Sequence, residues 1–327
     1  MSHSSESKTS GNIATNRLKI GLIGFGSWPK QSYVPILMKR DDTEIISVAA
    51  STVNTLNMAK SIIGSQVEIY TSFQKLLNDS IIDAVFIGLP NQITSSAIEA
   101  AISKKLHVFV EPPFKQNQSI RHYLRGSSPV FHVDLELTHL PIVEFINNII
   151  SENQVGIIEE MIVTLQCNWG NTWAITPSEE KEKVLEISTW YMDMVHYLSN
   201  KKVDYVAWDT ECSNYLKGEV TIKYKDSYKG VWNYDFDSSE SFSVKINIKG
   251  KDVNITGDMI KGLLNTEIKG LCNSYNIPAN NPDVFTSGMN ESIESFINAI
   301  CSGNKTKTDY LFYSEIVTIQ NQLRSQN

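Results

Sequence analysis

From residue 17 on, short apolar runs alternate with amphipathic stretches of helical period. Residues 18–24 (LKIGLIG) form an apolar run closed by glycine, the pattern of a strand buried on both faces. Similar runs follow at 44–50, 67–70, 83–89 and 107–111; Pro90 stops the fourth, and Pro112 with Pro113 stops the last. Between them, residues 31–39, 55–63, 72–77 and 95–103 carry apolar positions at helical spacing, with Ser72 as a cap and alanines for close packing in the last. This alternation predicts an α/β fold whose first domain, residues 17–128, is a doubly wound parallel sheet.

The pattern changes after a Gly-Ser-Ser-Pro stretch at 126–129, a domain boundary by composition. Helices are expected at 141–151 and 184–199, and a long strand at 156–169. Residues 203–257 read as consecutive strands. Val220, Ile222 and Tyr224 alternate there with polar residues, as do Val244, Ile246 and Ile248, with turns at 226–227 and 249–251. The expectation for 129–327 is an α+β domain around a large, mostly antiparallel sheet with one buried face. Two amphipathic helices at 289–300 and 310–323 close the chain and are placed to pack back on the first domain. Residues 1–16 are Ser/Thr/Asn-rich without an apolar core, so they read as a disordered tail and not as a secretory signal.

The 327 residues fit about two domains. Acids outnumber bases 36 to 29, a net charge of −7, which argues against nucleic acid or an anionic membrane as the main partner. A local pocket for a small anionic cofactor is not excluded. No apolar run reaches the ~18 residues of a membrane span. Cys167, Cys212, Cys272 and Cys301 are far apart, with no CxxC pair and no zinc spacing, so a reducing cytoplasm fits and no disulfide framework is expected.

Candidate chemistry begins at Gly24-Phe25-Gly26-Ser27-Trp28-Pro29. Glycines directly after a strand allow a tight turn and close backbone approach to a pyrophosphate. The first two glycines of a dinucleotide fingerprint are present, and Pro29 holds the third place. At the end of the second strand, Ser51 and Thr52 stand where a carboxylate would meet a free ribose 2′-hydroxyl, which leans towards NADP over NAD; the plain alternative is that they cap the next helix. His132, Asp134 and Glu136 would share one face of a strand, but spacing two is not a strong ligand signature, and no metal site is expected. Asp193 and His196, three apart on a helix, share a face, so Asp193 is placed to orient His196 as a proton donor. Tyr191, Tyr197, Trp169 and Trp173 are aromatic candidates for the cleft or the core.

The order of these pieces resembles the glucose–fructose oxidoreductase / inositol dehydrogenase (Gfo/Idh/MocA) family. The resemblance rests on the glycine-rich first turn, the Asp83-Ala84-Val85 strand ending at Pro90-Asn91, the Val108-Phe109-Val110-Glu111-x-Pro113 strand, and the mixed second domain. It implies a nicotinamide cofactor held by Gly24, Phe25, Gly26, Ser27, Trp28, Ser51, Thr52, Pro90, Asn91, Glu111 and Pro112. It also implies a small-molecule substrate between the domains, and a homodimer or homotetramer through the C-terminal sheet. His196 with Asp193 is the first expected proton donor, and Tyr191 and Tyr197 come next. Three positions depart from the family. Pro112 replaces the lysine of Glu-Lys-Pro, Thr94 replaces a histidine, and Met192 stands at the usual aspartate. Loss of the lysine points away from sugar alcohol oxidation, and some relatives that lack it reduce conjugated or C=N bonds. The expectation is therefore an NADPH-dependent reductase of an imine, conjugated or keto/sugar-like substrate. The alternative is a catalytically silent member acting as a nucleotide-binding or partner-binding scaffold.

Overall fold

In the computed structural model the described residues are 17–124, 129–152, 155–172, 176–210, 215–225, 228–240, 242–277 and 284–326. The expected tail, residues 126–128 of the boundary, the 226–227 turn, Trp173 and Cys212 lie outside them.

The first layer is built from strands β1 (Leu18–Ile23), β2 (Thr43–Ala49), β3 (Glu68–Tyr70), β4 (Ala84–Ile87), β5 (His107–Val110) and β6 (Phe131–Val133). Its helices are α1 (Ser27–Gln31), α2 (Tyr33–Lys39), α3 (Val53–Ile63), α4 (Phe73–Asp79), α5 (Asn91–Ser103) and α6 (Gln118–Tyr123). All strands are parallel, in the order β3-β2-β1-β4-β5-β6. Chain direction across the sheet reverses between β1 and β4, and at such a point the loops leaving the strands open a crevice.

Two expectations need correction. Residues 31–39 are not one helix: α1 and α2 are separated at Ser32 (φ −95°, ψ −91°), whose hydroxyl donates to the Trp28 carbonyl. Pro35 has no N–H to offer the Gln31 carbonyl, so a helix begun at Ser27 cannot run through. The parallel sheet also runs past residue 128, because β6 pairs with β5.

The second layer contains α7 (Pro141–Ser151), β7 (Ile158–Cys167), α8 (Pro177–Ser199), β8 (Val203–Thr210), β9 (Lys217–Tyr224), β10 (Lys229–Asp235), β11 (Phe242–Gly250), β12 (Val253–Asp258), β13 (Leu263–Ile268) and β14 (Leu271–Asn276). The eight strands run in the order β14-β13-β12-β11-β7-β10-β9-β8, antiparallel except for β7 beside β10. Alternate residues such as Met161, Val163, Leu165, Val244, Ile246 and Ile248 face inward onto α8, as period-two patterning requires. The Gln326 side chain closes one edge, accepting from Trp208 N (2.9 Å) and donating to Val206 O (2.8 Å).

Two helices tie the layers together. On α9 (Val284–Ser302), Met289, Ile293, Phe296 and Ile297 pack on one face of the parallel sheet. There Phe86 and Phe109 stack at 4.4 Å and Phe296 stands edge-on to both, contacts worth ~1 kcal/mol each beyond their burial. On α10 (Tyr310–Arg324), Tyr310 and Tyr313 cover the other face, while Ile316, Ile319 and Leu323 enter the core of the second layer. Among the described residues no helix is long and apolar enough to cross a membrane, and Cys167, Cys272 and Cys301 are free thiols.

Candidate active site

One residue past the end of each of four neighbouring strands, the backbone forms a continuous row. Gly24 N donates to Ala49 O (2.9 Å), Gly88 N to Ile23 O (2.9 Å), Glu111 N to Ile87 O (3.1 Å) and Asp134 N to Val110 O (2.9 Å). Ile23, Ile87, Val110 and Val133 face the α4/α5/α10 side. Strand alternation therefore turns Gly24, Gly88, Glu111 and Asp134 to the opposite side, that of α2 and α9.

The glycines of this row leave a cradle. Gly24 has φ +97°, and a Cβ there would sit 2.1 Å from the Gly88 carbonyl oxygen, so no other residue fits. Gly26 caps α1, and a Cβ on it would meet nothing within 4 Å, so the turn opens to the crevice at that point. At Gly88 a Cβ would stand 2.8 Å from the Tyr33 hydroxyl and 3.1 Å from Pro29. Close helix–strand packing, which a third glycine on the helix would have allowed, is achieved here by a glycine on the strand side opposite Pro29.

Around the cradle lie polar atoms without partners. Asn91 Oδ1, on the first residue of α5, and Glu111 Oε1 are buried and unpartnered, as is the Tyr33 hydroxyl. Such groups are costly unless a ligand or water meets them. Burial first, and then the charge of Asp134, pushes the Glu111 pKa well above the usual carboxylate range. Burial also raises Asp134, to about 7.

The expected cofactor residues are brought together only in part. Gly24, Gly26, Ser27 and Trp28 after β1, Ser51 and Thr52 after β2, Pro90 and Asn91 after β4, and Glu111 and Pro112 after β5 all stand at the carboxyl edge. Phe25 does not belong with them, because it is buried in the core with Val34 and Leu37. Thr52 Oγ1 accepts from Thr55 N (3.2 Å) and caps α3, leaving the exposed Ser51 as the free hydroxyl of that pair. Pro112 is buried and joined to Pro113 by a cis peptide. The buried Thr94 hydroxyl is spent on the carbonyls of Leu89 and Pro90 (3.0 Å each).

The expected Asp193–His196 pair is not formed. Asp193 Oδ2 accepts from the Thr138 hydroxyl (2.6 Å) and its Oδ1 from Met194 N (2.7 Å). His196 Nε2 meets Glu315 of α10 at 2.7 Å, and its ring lies between Tyr224 and Phe312. The two side chains point from α8 to different neighbours. Tyr191 is buried and stacks on Trp232 (5.8 Å), so it is core. Tyr197 donates to Glu144 (3.2 Å), with the Lys307 ammonium 4.9 Å above its ring. None of the four reaches the cradle through a hydrogen bond in the structure. His196→Ala is accordingly expected to leave cofactor affinity and any turnover within about threefold while costing about 1–3 kcal/mol of stability, read by chemical denaturation.

His132, Asp134 and Glu136 do not share a strand face, because β6 ends at Val133 and Glu136 opens a 3-10 turn, Glu136–His139. Among the described residues no His/Cys/Asp/Glu group could hold a metal ion. Tyr33, Gly88 and Ser292 are site residues that sequence reading passed over. Only Gly88, a glycine ending a parallel strand, carried a local signal.

Comparison with known proteins agrees with the fold. The family model GFO_IDH_MocA, described as an oxidoreductase family with an NAD-binding Rossmann fold, matches residues 18–133. The dTDP-3,4-didehydro-2,6-dideoxy-alpha-D-glucose 3-reductase of Streptomyces antibioticus is 29% identical over 103 residues, which is 32% of this chain and 31% of that protein. The match thus spans about a third of that relative. A dehydrogenase from Chromobacterium violaceum has the same fold with a TM-score of 0.82 at 16% identity, covering 94% of each chain. Levoglucosan dehydrogenase, solved with NADH and levoglucosan, gives 0.80 at 16% identity, covering 94% of this chain and 96% of that one. Residues 18–133, about a third of the chain, thus match the NAD-binding Rossmann unit of the Gfo/Idh/MocA oxidoreductase family, and the whole chain shares the fold of the solved dehydrogenases.

Proposed function

We propose that this protein is a nicotinamide-dependent reductase acting on a small carbonyl or imine substrate at the carboxyl edge of the parallel sheet. The observation that carries the reading is the Gly24–Gly88 cradle flanked by the unpartnered Asn91 Oδ1 and Glu111 Oε1. Bare backbone at Gly24 and Gly26 suits a pyrophosphate, and the two orphan acceptors suit the carboxamide and ribose donors of a nicotinamide nucleoside. The bound dinucleotide would supply hydride. The chain's own residues hold it, exclude water and position a proton donor.

NADPH is the proposed cofactor. No carboxylate stands at Ser51 or Thr52, and Lys30 of α1 bridges towards α3 with its ammonium on the Met58 sulfur (3.2 Å), a weak acceptor that a phosphate would displace. Lys30→Ala is expected to weaken NADPH about tenfold and NADH less than twofold, measured by fluorescence titration of each. Equal losses for both would remove Lys30 from 2′-phosphate recognition.

The reductase of Streptomyces antibioticus acts on a keto sugar nucleotide by its name, which places keto sugars beside imines in the first substrate screen. Oxidation of NADPH by either class supports the reading. Tight cofactor binding without turnover of any member of either class favours the scaffold alternative. A cytoplasmic location fits the free thiols. The outer face of the second sheet, where Asn247 Oδ1 is buried without a partner, is the proposed homo-oligomer contact, to be read by the mass of the protein in solution.

A further inference from the structure

Beyond the glycine cradle, the carboxyl edge ends in acids. Glu111 and Asp134 turn to the same side, and the charges of Asp134, Glu111 and Asp193 all bear on Glu136. Asp134, Glu136 and Asp193 are buried, while Glu111 is partly exposed at the crevice. Carboxyls buried this near one another cannot all be ionised. Glu111 Oε1 lies over Gly88, 3.6 Å from where a Cβ there would sit. The fully buried Tyr33 hydroxyl lies 2.8 Å from the same point, and neither atom has a partner. Two orphan polar atoms aimed at one bare backbone position mark where a ligand's polar group enters.

Asp134 is held from behind. The Ser292 hydroxyl donates to its Oδ1 (2.8 Å), and His132 Nε2 lies 2.8 Å from that hydroxyl. Burial, and then Lys307, pushes the His132 pKa down to about 3, so the ring stays neutral and supplies no countercharge. The groups facing Glu111 are Asp134 beyond β6, Glu136 of the 3-10 turn and Tyr33 of α2. Pro112, next in the chain, has no titratable group.

We propose that Glu111 is the proton donor of the reduction and that Asp134, fixed by Ser292 and His132, is the positioning residue that keeps the proton on Glu111. This rests on the nicotinamide reading above. The Glu111 O–H bond breaks as the substrate oxygen or nitrogen takes the proton; a bound reduced nicotinamide would supply the hydride to the carbon beside it and would itself be oxidised. The Glu111 carboxylate then regains its proton from water at the crevice.

The test combines infrared titration of the full chain with NADPH binding, in wild type, Glu111→Gln and Asp134→Asn. At neutral pH wild type should show a protonated-carboxyl C=O band from which Glu111→Gln removes one component. In Asp134→Asn the Glu111 component should titrate at lower pH, because the neighbouring negative charge is gone. Once a keto sugar or cyclic imine is turned over, Glu111→Gln should lower kcat about 10²-fold with KM within about threefold. A band unchanged in Glu111→Gln means an ionised Glu111 and overturns the proposal, even if NADPH binds. Failure of wild type to bind NADPH overturns the nicotinamide reading, and the donor role with it, whatever the infrared spectra show.

Discussion

Gly24→Val is expected to abolish dinucleotide binding, lowering affinity for NADPH at least ~100-fold, or about 2.7 kcal/mol. The Cβ alone would sit 2.1 Å from the Gly88 carbonyl oxygen, on a backbone at φ +97° that a β-branched residue resists. Either β1 or β4 must move, and the floor of the cradle moves with it. Stability should fall as well, by about 2–4 kcal/mol. Gly26→Ala separates the two effects. Gly26 lies at φ −73°, and its Cβ would meet nothing in the fold. Stability should hold within about 0.5 kcal/mol, while a methyl in the crevice weakens NADPH about tenfold. Unchanged NADPH affinity in both variants would place the cofactor elsewhere.

Asp193→Asn is expected to stabilise the protein at pH 8 by about 2–4 kcal/mol and to flatten its pH dependence. Burial raises the Asp193 pKa from 3.8 to about 8, against the hydrogen bonds from Thr138 and Met194 that favour the ionised form. A carboxyl with a raised folded pKa contributes its full stability only below the unfolded pKa. Above pH ~4 the unfolded chain releases the proton and the folded chain does not, so stability falls until pH passes about 8. Asp134, at about 7, falls in the same direction over a narrower window. Asp193 lowers the denaturation midpoint of wild type at pH 8 relative to pH 5, so Asp193→Asn should raise the midpoint at pH 8 more than at pH 5. An amide can still accept from Met194 and donate to the Thr138 oxygen. A pH 5 to pH 8 difference left unchanged by Asp193→Asn would mean that Asp193 is ionised in the fold.

These variants also mark what local sequence carries. The glycine turn, the apolar parallel strands and the alternating second sheet are short-range patterns, and each reappears with its expected partners. The Asp193–His196 relation does not. Spacing of three says only that two side chains leave a helix on adjacent bearings, not which element packs there. Asp193 meets Thr138 and His196 meets Glu315, partners far away in the chain whose positions depend on α9 and α10 closing over both layers. Ser292, which holds Asp134, is 158 residues from it and had no local signal. Pro29, in the third place of the glycine fingerprint, has a related explanation. The fingerprint assigns close packing to a helix glycine, whereas Gly88 supplies the space from the strand.

The most direct test of the account is a fluorescence titration of the purified protein with NADPH and, separately, NADH. Saturable binding of NADPH, tighter than NADH and lost in Gly24→Val, is the predicted result. No binding of either dinucleotide to a folded wild-type protein would contradict the account, because the Gly24–Gly88 cradle and its orphan acceptors would then serve something other than a nicotinamide cofactor.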